Sequence, residues 1–112
     1  MNNPTQNLIS ELRRGTLVLS VLSQLGEQAY GYSLRERLAE RGVEIDQGTL
    51  YPLLRRLEEQ GLLQSEWSLN ESRPRRYYQL NATGEEALNT LIREWQSLVD
   101  AMHRLLQERE DK

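Results

Sequence analysis

Side chains able to do covalent or metal chemistry are scarce in this sequence. There is no cysteine and one histidine, His103, which excludes a thiolate nucleophile, a thiolate metal site and a histidine cluster. No phosphate-cradling glycine loop and no nucleophile at a recognisable spacing from a base occurs, so the chain reads as a non-enzyme with no cofactor and no metal. The carboxylate pairs Glu58-Glu59 and Glu85-Glu86, like His103, read as solvated helix faces. What remains is recognition by hydrogen bonds and charge. Arg73, Arg75 and Arg76 flank Pro74, and the planar guanidinium fork matches phosphate oxygens and guanine edges. A second group, Gln47, Gly48, Thr49, Tyr51 and Arg55, sits at the front of a leucine-rich segment and offers amide, hydroxyl and guanidinium groups of the kind that read base edges.

That segment, EIDQGTLYPLLRRLEEQGLL, contains a conflict. Leu50, Leu53, Leu54 and Leu57 recur at i, i+3, i+4 and i+7, which predicts an amphipathic helix over about 46–60. Yet Gly48 and Pro52 lie in its first turns, and relative to Ala an interior Gly costs about 1 kcal/mol and an interior Pro about 3 kcal/mol. The conflict dissolves if the front of the helix must approach another surface closely, because Gly48 removes a side chain there. Pro52 has two readings: with Thr49 as N-cap it sits where its missing N–H has no intrahelical partner; with Asp46 as N-cap one helix bond is lost.

The elements around this helix follow from periodicity. A helix is expected over about 7–25, apolar on one side at Leu8 and Leu12 and on nearly all sides later; a second over about 31–41 turns Leu34 and Leu38 inward; Gly26, Gly42 and Gly61 end the three helices in turn. LLQSEWSL and RRYYQL then change the period, with the polar NESRP between them, and predict a hairpin over about 62–80. Asn81 is a suitable N-cap for a last helix over about 82–108. Tyr77 and Tyr78 must face opposite sides of their strand, one of them inward, and Trp67 fits hairpin packing. Helix, helix, helix, hairpin, helix gives an α+β, mainly α, winged helix-turn-helix over 1–80, with a long C-terminal helix over 81–112 for dimerisation.

Charge supports this division. The net charge is −3, but residues 1–78 carry ten Arg against ten acids, while 79–112 hold four bases and seven acids, so a polyanion would meet the first part. No run is long and apolar enough to span a membrane, and the start MNNPTQN lacks the features of a signal peptide, which predicts a cytoplasmic protein.

In order and spacing, YGYSLRERL, GTLYPLLRRLEEQGLL, RPRRYYQL and ATGEEAL resemble the PadR family of bacterial winged-helix regulators, in particular its short members with one C-terminal helix. Asn81 stands where a Thr is common in that family; both residues cap helices. The resemblance implies a dimeric binder of double-stranded operator DNA, usually a repressor relieved by a small molecule or another signal. In this arrangement the front of the 46–60 helix enters the major groove, and the arginine-rich wing tip meets the phosphate backbone. A winged-helix module that binds protein rather than DNA is the rival reading.

The last helix is the most regular element. Leu88, Trp95 and Met102, Leu91, Leu98 and Leu105, and Ile92, Val99 and Leu106 each recur every seven residues, an apolar stripe longer than a small domain needs. A second copy of the chain is the economical cover, with the first helix joining the interface. Trp95 is then interface core or, with its symmetry mate, Val99 and the acidic Asp100, the wall of a cavity for a flat apolar or cationic molecule. In some short PadR-like regulators a Trp of this helix lines such a cavity.

Overall fold

The computed structural model describes residues 3–70 and 72–111. Among them, five helices and three strands follow in the order α1 (Pro4–Arg14), α2 (Leu17–Ser23), β1 (Ala29–Tyr30), α3 (Gly31–Glu40), α4 (Gln47–Glu59), β2 (Leu63–Ser68), β3 (Arg75–Leu80) and α5 (Ala82–Glu110). Together α3 and α4 form the helix-turn-helix, and the β2–β3 hairpin is the wing. The sheet is antiparallel, in the order β1-β3-β2. This is the mainly helical winged architecture expected.

The core is a leucine cluster, and each of its helices contributes the face that its periodicity marks. Leu50, Leu53, Leu54 and Leu57 of α4 are all buried, against Leu34 and Leu38 of α3, Val21 and Leu22 of α2, Leu25, and Leu63, Tyr78 and Leu80 of the hairpin. Full burial of one leucine contributes about 1.5–3 kcal/mol, so the four on α4 outweigh the unfavourable Gly48 and Pro52. Gly42 and Gly61 end α3 and α4 with φ of 91° and 82°, the left-handed conformation that glycine adopts without steric penalty.

Three local features differ from expectation. The helix expected over 7–25 is two helices, because the Thr16 hydroxyl and amide both donate to the Arg13 carbonyl, at 2.8 and 3.1 Å. This local bonding competes with the continuing helix ladder. The first piece also starts earlier, at Pro4, where the Asn3 side chain accepts from the Thr5 amide and a proline at N1 has no bond to lose. Strand β1 is only two residues long and adds Ala29 and Tyr30 beside Tyr78 and Tyr77 of β3. At the far end, Asn81 caps α5 as expected, its Oδ1 accepting from the Gly84 amide at 2.8 Å.

The long helix is shared between two environments. Leu88 and Leu91 pack against the winged core, although the sequence placed them in a dimer interface. Beyond them, Ile92, Trp95, Leu98, Met102, Leu105 and Leu106 are exposed within the chain, as are Leu8 and Leu12 of α1. Val99 is half-buried, and His103 is exposed. Among the described residues no helix is long and apolar enough to cross a membrane, and no cluster of three or more His, Asp or Glu is arranged to hold a metal ion.

Candidate nucleic-acid interface

The start of α4 is fixed by Asp46. Its Oδ1 accepts from the Thr49 amide at 2.8 Å, and the Leu50 amide donates to its carbonyl at 2.9 Å. Asp46, not Thr49, is therefore the N-cap, Gln47 opens the helix, and Pro52 lies inside it. Pro52 cannot supply the N–H that would bond the Gly48 carbonyl. Gln47, Gly48, Thr49, Pro52 and Arg55 are all exposed, on the side of α4 away from its buried leucines.

Two glycines at this face have different physical reasons. A Cβ on Gly31 would come within 2.0 Å of the Tyr51 ring, so Gly31 is what allows that ring to lie across the start of α3. Tyr51 is half-buried as a result. A Cβ on Gly48 would meet only the Asp46 carboxylate, at 3.3 Å. Nothing else among the described residues requires a bare backbone there.

An open groove of about 670 Å³ runs between α4 and the wing. It is lined by Gln47, Tyr51 and Arg55 on one side and by Arg73, Arg75 and Arg76 on the other. Residues separated by up to 29 positions thus converge on one concave surface, and Gly48 and Thr49 lie beside it in the first turn of α4. The groove also has walls that motif reasoning did not assign: Tyr30 and Tyr32 from the start of α3, and Trp67 from β2. Trp67, expected in hairpin packing, is largely exposed, as is Tyr32. The tyrosines flanking Gly31 in YGY were the available signal, because a glycine between two aromatics at a helix start marks a crowded surface.

Strand alternation divides the arginines of the wing. Tyr78 and Leu80 are buried, so Arg76, two residues before Tyr78, faces the same side. There its Nη2 donates to Glu58 Oε1 at 2.8 Å and its Nε to Ser65 Oγ at 3.0 Å, while the Ser65 hydroxyl donates to the other Glu58 oxygen. The expectation of Arg76 as a phosphate contact thus meets a guanidinium already committed to a carboxylate, and Glu58 is not the merely solvated charge expected. Arg75 lies on the other face of the strand, with its guanidinium 4.5 Å from the centre of the Tyr30 ring. That ring also packs on Tyr32 and edge-on against Tyr77. Tyr78 is the inward member of its tyrosine pair. Burial pushes its phenol pKa up from the ordinary 10.0, and the charge of Arg76 partly opposes this. Two more arginines of the winged region hold backbone: Arg35 Nε donates to the Ile45 carbonyl and Arg37 Nη1 to the Gln24 carbonyl, at 3.1 and 2.8 Å.

Residues 18–90 match the model of the transcriptional regulator PadR-like family. The chain belongs to the PadR-like family of transcriptional regulators. A crystal structure of a PadR family regulator from Eggerthella lenta is similar at 50% identity and a TM-score of 0.86, over 91% of both chains. That of a PadR-like transcription factor from Bacteroides fragilis is similar at 35% identity and 0.74, over 88% of this chain and 98% of the other. A transcriptional regulator of Mycobacterium tuberculosis is 37% identical over 79 residues, covering 70% of this chain and 74% of the relative. This PadR-like protein is thus a DNA-binding transcriptional regulator and not an enzyme, and the groove between α4 and the wing is its candidate DNA interface.

Proposed function

We propose that this PadR-like protein is a cytoplasmic homodimeric repressor whose two grooves take successive half-sites of one operator duplex. The observation that carries the DNA reading is the convergence of Gln47, Tyr51, Arg55, Arg73 and Arg75 on a single groove, beside a helix front whose Gly48 leaves the backbone open to approach. In this reading α4 enters the major groove, with Gln47 and Tyr51 at base edges and Gly48 and Thr49 close to the duplex. Arg55, Arg73 and Arg75 meet phosphates.

The dimer reading rests on α5. At about 1.5 Å per residue its 29 residues span about 43 Å, and its second half exposes Trp95, Leu98, Met102, Leu105 and Leu106 along one stripe. In a monomer this contiguous apolar surface would face water. A second α5, with Leu8 and Leu12 of α1 joining it, covers the stripe and relates two grooves by a twofold axis. The winged domain of 1–80 and the dimerisation helix of 81–112 then divide the work, with 82–91 of α5 also anchored in the winged core. Repression follows from occupancy of the operator. The relieving signal is a flat apolar or cationic molecule held near Trp95, Val99 and Asp100, because two large rings facing each other across a twofold axis pack poorly without a guest, and each offers a cation up to about 2 kcal/mol.

A salt titration tests the DNA reading. Against a duplex selected from a random pool, log K should fall linearly with log salt concentration, by about 0.9 per phosphate contacted. Salt-independent binding, or no enrichment of any duplex, would favour a winged module that binds protein.

A further inference from the structure

Three elements meet at one side chain in this fold. Arg76 leaves β3 on its inward face, bonds Ser65 of β2 through Nε, and bonds Glu58 of α4 through Nη2. Its guanidinium lies 5.8 Å from the centre of the Trp67 ring and 5.6 Å from that of Tyr78. The Ser65 hydroxyl bonds the same Glu58 carboxylate, so the three polar groups form a closed triangle across the junction between helix and wing. Only partial solvent reaches it: the side chains of Arg76 and Glu58 are 37% and 27% exposed. A carboxylate at hydrogen-bond distance cancels the charge that a phosphate would otherwise feel, and removing Arg76 from Glu58 would leave that carboxylate unpaired.

We propose that Arg76 is a positioning residue: with Glu58 and Ser65 it clamps the wing to the recognition helix, setting the distance between the base-reading front of α4 and the phosphate-facing Arg73, rather than contacting DNA itself. The proposal rests on the groove being the DNA-binding surface. The clamp is suited to this task because Glu58 lies on the last turn of α4, on the same rigid helix as Gln47, so an error in wing angle there becomes a misplacement of the wing tip relative to the bases. An arginine serves better than a lysine, because its fork reaches two acceptors in one plane while its face packs beside aromatic rings.

The experiment compares Arg73→Ala, Arg76→Ala, Glu58→Ala and the double variant Glu58→Ala/Arg76→Ala, with the full chain and one duplex recovered by selection from a random pool. Circular dichroism confirms that each is folded; Ala is the best helix former, so the Glu58 variant keeps α4. Affinity and its salt slope are then measured. Loss of the clamp should weaken binding about tenfold in each single variant, and the double variant should be no worse than either single, as members of one network behave. The slope should stay unchanged for Arg76→Ala but fall by about one per protomer for Arg73→Ala. Glu58→Ala is the sharpest arm, since removing a negative charge near DNA strengthens binding by electrostatics alone, whereas the clamp requires weakening. The proposal is overturned if Glu58→Ala binds as well as or better than the wild type, if Arg76→Ala reduces the slope as Arg73→Ala does, or if the two single effects add. If Arg73→Ala leaves both affinity and slope unchanged, it is the groove assignment that fails.

Discussion

The groove and the α5 stripe are built on opposite plans. In the groove, polar and aromatic side chains from α3, α4 and the wing already engage one another: Arg75 on Tyr30, Arg76 on Glu58, and Tyr51 across Gly31. The stripe presents large apolar side chains left open to solvent among the described residues, Leu98 at 56% exposure and Leu106 at 58% among them, and Leu12 of α1 is more exposed still, at 78%. A surface whose internal contacts are satisfied while its hydrogen-bonding groups remain at the mouth suits a hydrated, charged partner. A bare apolar stripe suits a partner that excludes water. On the reading proposed above, the first meets DNA and the second meets another copy of the chain.

Substitutions should separate the two surfaces. The largest effect is expected from Leu98→Glu, because a charge in an apolar interface is costly unless paired; sedimentation should show monomer or unfolded chain, and DNA affinity should fall with it. A folded dimer of that variant would remove the stripe from the interface. Next, Gly31→Ala should cost about 1–3 kcal/mol in denaturant unfolding through the clash with Tyr51, while Gly48→Ala should stay within about 0.5 kcal/mol of wild-type stability yet weaken DNA binding. Equal stability losses at the two glycines would erase the contrast between an internal and an external reason for each. Gln47→Ala should change which bases a selected operator prefers, at about 1–3 kcal/mol per lost base contact, and an unaltered selection profile would remove Gln47 from base reading.

Smaller effects probe the centre of each region. Flat dyes should quench tryptophan emission in the wild type and in Trp67→Phe, and lose binding in Trp95→Ala; with cation–π attraction worth about 0.5–2 kcal/mol per ring, unchanged dye affinity in Trp95→Ala would make that residue plain interface core. In the winged core, burial holds the Tyr78 phenol neutral beyond its ordinary pKa of 10.0. The unfolded chain therefore releases that proton first, and the contribution of Tyr78 is complete below pH 10 and declines as pH rises toward the folded-state value. Denaturant unfolding on either side of pH 10 should show a shallower alkaline decline for Tyr78→Phe than for the wild type.

The parts legible in the sequence were those fixed by period and local bonding. The leucines of α4 and the heptads of α5 mark faces directly, and Asn81 caps where its type and position suggest. The groove was legible on its α4 side, because Gly48 and Pro52 conflict with a helix made only to pack. Its far wall was not: Tyr30, Tyr32 and Trp67 reach it through tertiary packing, and the two-residue β1 that carries Tyr30 is too short to show alternation. The pairing of Arg76 with Glu58 was not legible, since it joins residues 18 positions apart, whereas proximity in sequence grouped Arg76 with Arg73 and Arg75, beside which it does line the groove. The break between α1 and α2 depends on one threonine bonding back to Arg13, a local competition that the apolar pattern does not register.

In the proposed assembly, one twofold dimer offers two such grooves to a single duplex. Selecting duplexes from a random pool with the wild-type protein, then sedimenting the complex with a selected duplex, tests it most directly. The selected sites should be inverted repeats with half-site centres about one helical turn, 10–10.5 base pairs, or a multiple of it apart, and each duplex should carry two protomers. An asymmetric site carrying one protomer would contradict it.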